Sequence, residues 1–92
     1  DHNRLVARQT AEGIYEFSGR MEIEEINEKF HLDIPESDEY QTIAGYILYN
    51  LEEIPAVGDT FTVDGSKITI LKKSAARIEL VQLDTTVSPE EK

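Results

Sequence analysis

The stretch Asp38-Glu39-Tyr40-Gln41-Thr42-Ile43-Ala44-Gly45-Tyr46-Ile47-Leu48-Tyr49-Asn50-Leu51 decides the fold. Within it Ile43, Ala44, Ile47, Leu48 and Leu51 recur at offsets of 0, 1, 4, 5 and 8, which draws one apolar stripe along a helix that Thr42 is placed to cap. Tyr46 and Tyr49 stand three apart and off that stripe. Tyrosine is enriched at interfaces, so the pair is a candidate partner surface, with capping of the core edge as the alternative. Gly45 inside the helix costs about 1 kcal/mol relative to alanine, and close backbone packing or the approach of a ligand or partner helix is what would offset it.

Upstream, Pro35 drives Ile34 towards extended geometry, so Leu32 to Glu39 reads as an acidic loop. Before it, Met21 to Phe30 places Ile23, Ile26 and Phe30 on one face of a shorter helix. Glu22, Glu24 and Glu25 favour the positive end of its dipole, although no Ser, Thr, Asp or Asn occupies the expected cap. Leu5 to Thr10 and Ile14 to Phe17, joined across Ala11-Glu12-Gly13, predict an opening hairpin.

Downstream, Pro55 and Gly58-Asp59 end the helical region, and Thr60 to Val63 alternates at the strand period. Asp64-Gly65 is a hairpin signal. Lys67 to Leu71 and Arg77 to Leu83 predict two more strands around a turn from Lys72 to Ala76, with a bulge after Leu80 where the alternation slips. The order β-β-α-α-β-β-β implies an α+β domain over residues 4–84, an antiparallel sheet with two helices packed on one face, and a frayed C-terminal tail over 85–92.

Ninety-two residues suit one core. No apolar run approaches the roughly 18 to 20 residues that cross a bilayer. The start at Asp1 without Met points to an excised piece of a longer polypeptide. The absence of cysteine excludes disulfides, a thiolate nucleophile and a Cys-ligated zinc, and is compatible with a reducing compartment. The net charge of −10 argues against nucleic acid or anionic lipid as the main partner. Residues 22–53 hold ten acids against Lys29 alone, so the excess sits in the middle third.

Asp33, Glu36, Asp38 and Glu39 form the candidate metal site, because clustered carboxylate oxygens suit hard cations such as Mg²⁺ or Ca²⁺. Their spacing is not that of an EF-hand, and a solvated loop with weak cation binding is the plainer reading. Paired carboxylates doing acid–base chemistry need a cleft that raises one pKa, and no residue pattern supplies one. His2 and His31 form neither a metal pair nor a Ser-His-Asp set, so no catalytic residue is assigned. Lys72, Lys73 and Arg77 are the one local basic cluster and carry no glycine-rich phosphate loop.

Taken in order, Ile23-Glu24-Glu25-Ile26-Asn27, Leu32-Asp33-Ile34-Pro35-Glu36, Asp38 to Gly45, Ile54-Pro55, Gly58-Asp59 and Val63-Asp64-Gly65 resemble the CorC/HlyC transporter-associated domain, with Tyr-x-Thr-Ile-Ala-Gly the most specific string. The resemblance covers residues 6–83. It implies a non-catalytic regulatory domain at the cytoplasmic face of the bacterial inner membrane, part of a membrane protein with paired CBS domains and a role in magnesium or cobalt efflux. The partners implied are the remainder of that protein, including the CBS pair and the transmembrane domain. A homodimer through a sheet edge or through Tyr46 and Tyr49 is a further expectation. The fold also resembles the second subdomain of FAD-binding (PCMH-type) oxidoreductases, which raises an adenine nucleotide or FAD as an alternative ligand without transferring any residue. Ile78-Glu79-Leu80-Val81 departs from the family by lacking a basic residue before the valine, which counts against an anion site on that strand.

Overall fold

Residues 5–51, 53–75 and 77–86 are described in a computed structural model of the chain. The elements are β1 (Ala7–Ala11), β2 (Ile14–Ser18), α1 (Ile23–Phe30), α2 (Ile43–Asn50), β3 (Thr60–Val63), β4 (Ser66–Ser74) and β5 (Arg77–Asp84), in the expected order. The strands make a single sheet in the order β1-β2-β5-β4-β3, with every neighbouring pair antiparallel. The seam between β2 and β5 joins the opening hairpin to the closing meander, and the helical segment between β2 and β3 covers one face.

Alternation places Tyr15 and Phe17 of β2, Ile68 and Ile70 of β4, and Val81 and Leu83 of β5 on that covered face. Ile23 and Ile26 of α1 and Ile43, Tyr46 and Ile47 of α2 close the core from the other side. Phe17, Ile26, Ile43, Ile47, Ile70 and Val81 are wholly buried, and each such side chain contributes about 1.5–3 kcal/mol through removal from water. Across the open face a polar row runs through Arg8, Glu16, Gln82, Thr69 and Thr60. There Arg8 donates to Glu16 at 2.7 Å.

The helix starts are interlocked. The Ile23 amide donates to the Gln41 carbonyl at 2.9 Å, while the Ile43 and Ala44 amides donate to the carbonyls of Met21 and Gly19 at 2.9 and 3.0 Å. These bonds satisfy first-turn amides that a helix cannot pair internally. They explain how α1 begins after Glu22, which makes no side-chain cap, whereas Thr42 caps α2 as predicted by accepting from the Gly45 amide at 3.1 Å. Gly19 sits where this junction meets the sheet. A Cβ there would fall on the Ile78 carbonyl oxygen, and the Gly19 amide donates to Glu79 at 3.0 Å.

Two local expectations are corrected and a third is extended. The predicted turn from Lys72 to Ala76 is mostly strand, because Lys72, Lys73 and Ser74 pair with Leu80, Ile78 and Arg77; Ala75, which follows, takes φ 53°. The expected irregularity does fall at the Leu80–Val81 step, where Leu71 of β4 is the extra residue, and a second shift beside Lys72 leaves out Glu79 of β5. The stripe on α2 is rotated: Tyr46 is buried and Leu48 is exposed. Ile43, Ile47 and Leu51 keep the line, but Leu48 lies about 100° beyond Ile47, and Tyr46, three residues after Ile43, completes the inward face.

At the C-terminal end, the amide and hydroxyl of Thr85 donate to the Gly13 carbonyl at 2.8 and 2.9 Å, so the chain stays on the first hairpin through Thr86. The rest of the expected tail, 87–92, and His2 lie outside the described residues. Among the described residues no helix is long and apolar enough to cross a membrane.

Candidate functional site around the loop between the helices

The loop from His31 to Gln41 is held by side chains that mimic backbone. Asn27, inside α1, donates to the Ile34 carbonyl and accepts from the Ile34 amide, both at 2.9 Å, and its amide also donates to Glu36 at 3.2 Å. His31 ends α1 in the left-handed conformation, φ 58°, and its amide donates to the Asn27 carbonyl. The Tyr40 hydroxyl donates to the Pro35 carbonyl at 2.9 Å. Farther along, Tyr46 donates at 2.5 Å to Asp64 of the β3–β4 turn, where Asp64 and Gly65 both take positive φ. The ring of Tyr40 packs between those of Tyr46 and Tyr49, at 5.5 and 5.3 Å.

This arrangement accounts for the family-like string. Gly45 is closely packed, since a Cβ would stand 3.1 Å from Tyr40 Cβ and 3.4 Å from Thr42 Oγ1, which agrees with the first of the two readings of that glycine. Burial pushes the Tyr46 phenol far above its ordinary pKa, reinforced by its hydrogen bond to Asp64 and by that residue's charge. Tyr40 is raised for similar reasons, desolvation first, then the charges of Asp64 and Tyr49. Both phenols are therefore neutral donors rather than bases.

The four acids of the predicted metal site are not brought to one point. Asp33 lines a cleft of about 310 Å³ between the loop and the β3–β4 turn, together with His31, Tyr46, Asp64, Ser66 and Thr85. Glu36 lines a separate cleft of about 160 Å³ with Glu22, Glu24 and Tyr40. Asp38 and Glu39 sit exposed in the intervening turn, where the Glu39 amide donates to Ser37 Oγ at 3.0 Å. Among the described residues no three His, Cys, Asp or Glu side chains converge as metal ligands would.

The tyrosine pair is divided as well: Tyr46 is 3% exposed and belongs to the core, whereas Tyr49 is 61% exposed. Of the basic cluster, Lys73 ties the sheet to the segment after α2 by donating to the Pro55 carbonyl at 2.7 Å, while Lys72 and Arg77 are exposed. Sequence reasoning passed over Asn27, Asp64 and Gly19 as functional positions. An asparagine within a helix was the available signal, since its side chain competes for backbone groups. Asp64 read only as a turn residue.

Comparison with known proteins follows the same pattern. Residues 8–87 match the family CorC_HlyC, described as a transporter associated domain. A transporter associated domain from Nitrosomonas europaea is 31% identical, with a TM-score of 0.75 over 90% of this chain and 99% of that one. A second such domain, from a Xylella fastidiosa hemolysin and solved in complex with Mg²⁺ and Mn²⁺, is 28% identical, with a TM-score of 0.70 over 86% of this chain and 95% of that one. Among longer proteins, the UPF0053 protein YegH of Escherichia coli is 29% identical over 76 residues, which are 83% of this chain and 14% of YegH. The UPF0053 protein sll0260 of Synechocystis is likewise 29% identical over 76 residues, and there the chain spans 17% of the relative's length.

Proposed function

The chain belongs to the CorC_HlyC transporter-associated domain family, and from that premise we propose that it is a non-catalytic accessory domain that works by contact with the rest of a bacterial ion-transport membrane protein. The ion is of the magnesium or cobalt type and the site of action is the cytoplasmic face of the inner membrane. The observation that carries this reading is the surface following the buried half of α2. Among the described residues, four of the five large exposed hydrophobics, Leu48, Tyr49, Ile54 and Val57, fall within one stretch of ten. Leu51, Ile54, Pro55 and Phe61 line a shallow cleft of about 410 Å³ beside it. Apolar side chains concentrated in this way mark an interaction surface.

The non-catalytic part is supported by the chemistry of the side chains: the two perturbed phenols are donors, and His31 is an exposed helix cap without an acid or hydroxyl bonded to its ring among the described residues. The test is photo-cross-linking in the intact membrane protein from probes at Tyr49 and Ile54. Cross-links to other parts of that protein are expected, with none from Gln9 on the opposite edge. Equal labelling from all three positions rejects the reading.

A second reading, ion sensing, is favoured by the Xylella relative in complex with Mg²⁺ and Mn²⁺. In this chain Asp33 and Glu36 lie in different clefts, so any ion held by these acids keeps most of its water, and affinity is weak. Adenine nucleotide or FAD fits less well, because among the described residues no Lys or Arg lines either cleft to meet a phosphate. Calorimetry with Mg²⁺, Mn²⁺, AMP and FAD separates these, and sub-micromolar binding of an ion or nucleotide would replace the protein-contact reading. Self-association through the edge strands β1 or β3 belongs to the same contact reading, and sedimentation across a concentration series tests it.

A further inference from the structure

We propose that the cleft between the His31–Pro35 loop and the β3–β4 turn receives a cationic side chain, arginine or lysine, from a partner polypeptide. This rests on the reading that the domain works through protein contacts, and names one of them. The cleft has a two-part lining. Leu32, Pro35 and Leu83 supply apolar walls, suited to the methylene stem of a long basic side chain. Asp33 and Asp64 supply two carboxylates, with the hydroxyls of Ser66 and Thr85 as further acceptors.

Apart from His31, no basic residue among the described residues lines the cleft, and the ion pair between Arg8 and Glu16 lies on the opposite face of the sheet. Tyr46 occupies Oδ2 of Asp64, which leaves Oδ1 for an incoming donor. A guanidinium or ammonium would therefore meet charge-assisted acceptors, whereas a phosphate ester would meet repulsion. Volume points the same way: at about 310 Å³ the cleft stands at the small end of ligand sites, roughly 300–1,000 Å³, which fits a single side chain better than a nucleotide or flavin.

The walls are also held in place before binding. Asn27 fixes the loop through both backbone groups of Ile34, and Tyr46 fixes the turn through Asp64. Little ordering remains to be done when the side chain enters. The surrounding excess of acid, ten against Lys29 in residues 22–53, draws a basic segment towards this side.

The experiment is a titration of the isotopically labelled chain, followed by amide chemical shifts, with the peptide acetyl-Leu-Arg-Leu-amide and its neutral isostere carrying citrulline for arginine. Saturating shifts are expected at Leu32 to Ile34, Tyr46, Asp64 to Ser66 and Thr85, and binding about tenfold weaker for the citrulline peptide, as loss of a charge-assisted bond implies. Asp64→Asn should weaken the arginine peptide by a similar factor. Asparagine tolerates the positive φ of 51° and still accepts from Tyr46, so the turn is retained. Asp33→Asn, on the exposed loop, gives an independent check.

Shifts spread evenly over the acidic surface, equal binding of both peptides, or undiminished binding by both Asp variants would overturn the proposal. So would Mg²⁺ that saturates the same amides and displaces the peptide, which would make the cleft an ion site. Cross-links from Tyr49 and Ile54 that persist when the peptide fails to bind would reject the cleft alone, and the contact reading would stand.

Discussion

Tyr46 and Asp64, 18 residues apart, are joined by a 2.5 Å hydrogen bond that fastens α2 to the β3–β4 turn. One partner is a core residue on a helix and the other an exposed turn residue, so the bond couples the interior to the rim of the acidic cleft.

Tyr46→Phe removes the donor and keeps the ring. The expected loss is about 1.5–3 kcal/mol, the range for hydrogen bonds to charged groups, read as a lower urea midpoint at constant m-value. Because the folded-state phenol is raised above the ordinary value of 10.0, its contribution is whole below that pH and falls as pH rises towards the folded value. Melting temperature should therefore drop above about pH 10 in the native protein, and less steeply in the phenylalanine variant.

Gly19 and Gly45 should respond to alanine very differently. At Gly19 the new methyl meets the Ile78 backbone carbonyl, which cannot move without breaking the β5 bulge, so a loss of about 3 kcal/mol is expected. At Gly45 the nearest atom is Tyr40 Cβ at 3.1 Å, and about 1 kcal/mol of helix propensity offsets the crowding. Thermal unfolding of the two variants side by side checks the contrast.

Asn27→Ala deletes both bonds to Ile34 and should cost about 2 kcal/mol at roughly 1 kcal/mol per bond. Hydrogen exchange at the Ile34 amide should accelerate more than at any strand amide. Asn27→Asp keeps the acceptor but places a charge beside Glu36 and the Ile34 carbonyl, so it should not restore stability.

Asp84 is held below its ordinary value of 3.8 by hydrogen bonds from the hydroxyl and amide of Thr86, with Lys67 adding to the effect. Its contribution to stability is present above that value and lost as pH falls through the folded one. Thr86→Val removes the hydroxyl donor; the Asp84 carboxyl titration should move back towards 3.8, and the acid loss of melting temperature should become shallower.

Much of the fold was legible because local patterns and tertiary demands agree. The Thr42 cap, the Asp64-Gly65 turn and the alternation in β2 and β4 each state a backbone preference that the sheet then uses. The site was less legible. Asp33, Glu36, Asp38 and Glu39 are neighbours in sequence, yet the loop turns Asp33 and Glu36 to different clefts and leaves Asp38 and Glu39 exposed in a turn. Tyr46 and Leu48 exchanged roles because an eight-residue helix is too short for its stripe alone to fix its rotation.

From its sequence alone this chain determines the element order, the antiparallel class, the acidic middle and a family resemblance, all of which depend on residues close together along the chain. Only the tertiary structure decided that Gly19 must lack a side chain, that Asn27 braces a loop seven residues away, and that Asp33 and Asp64 share a cleft. Gly19 is fixed where β2, β5 and the two helix starts converge, and the cleft where the loop after α1 meets the β3–β4 turn; contacts between separate segments leave no period or spacing in the sequence.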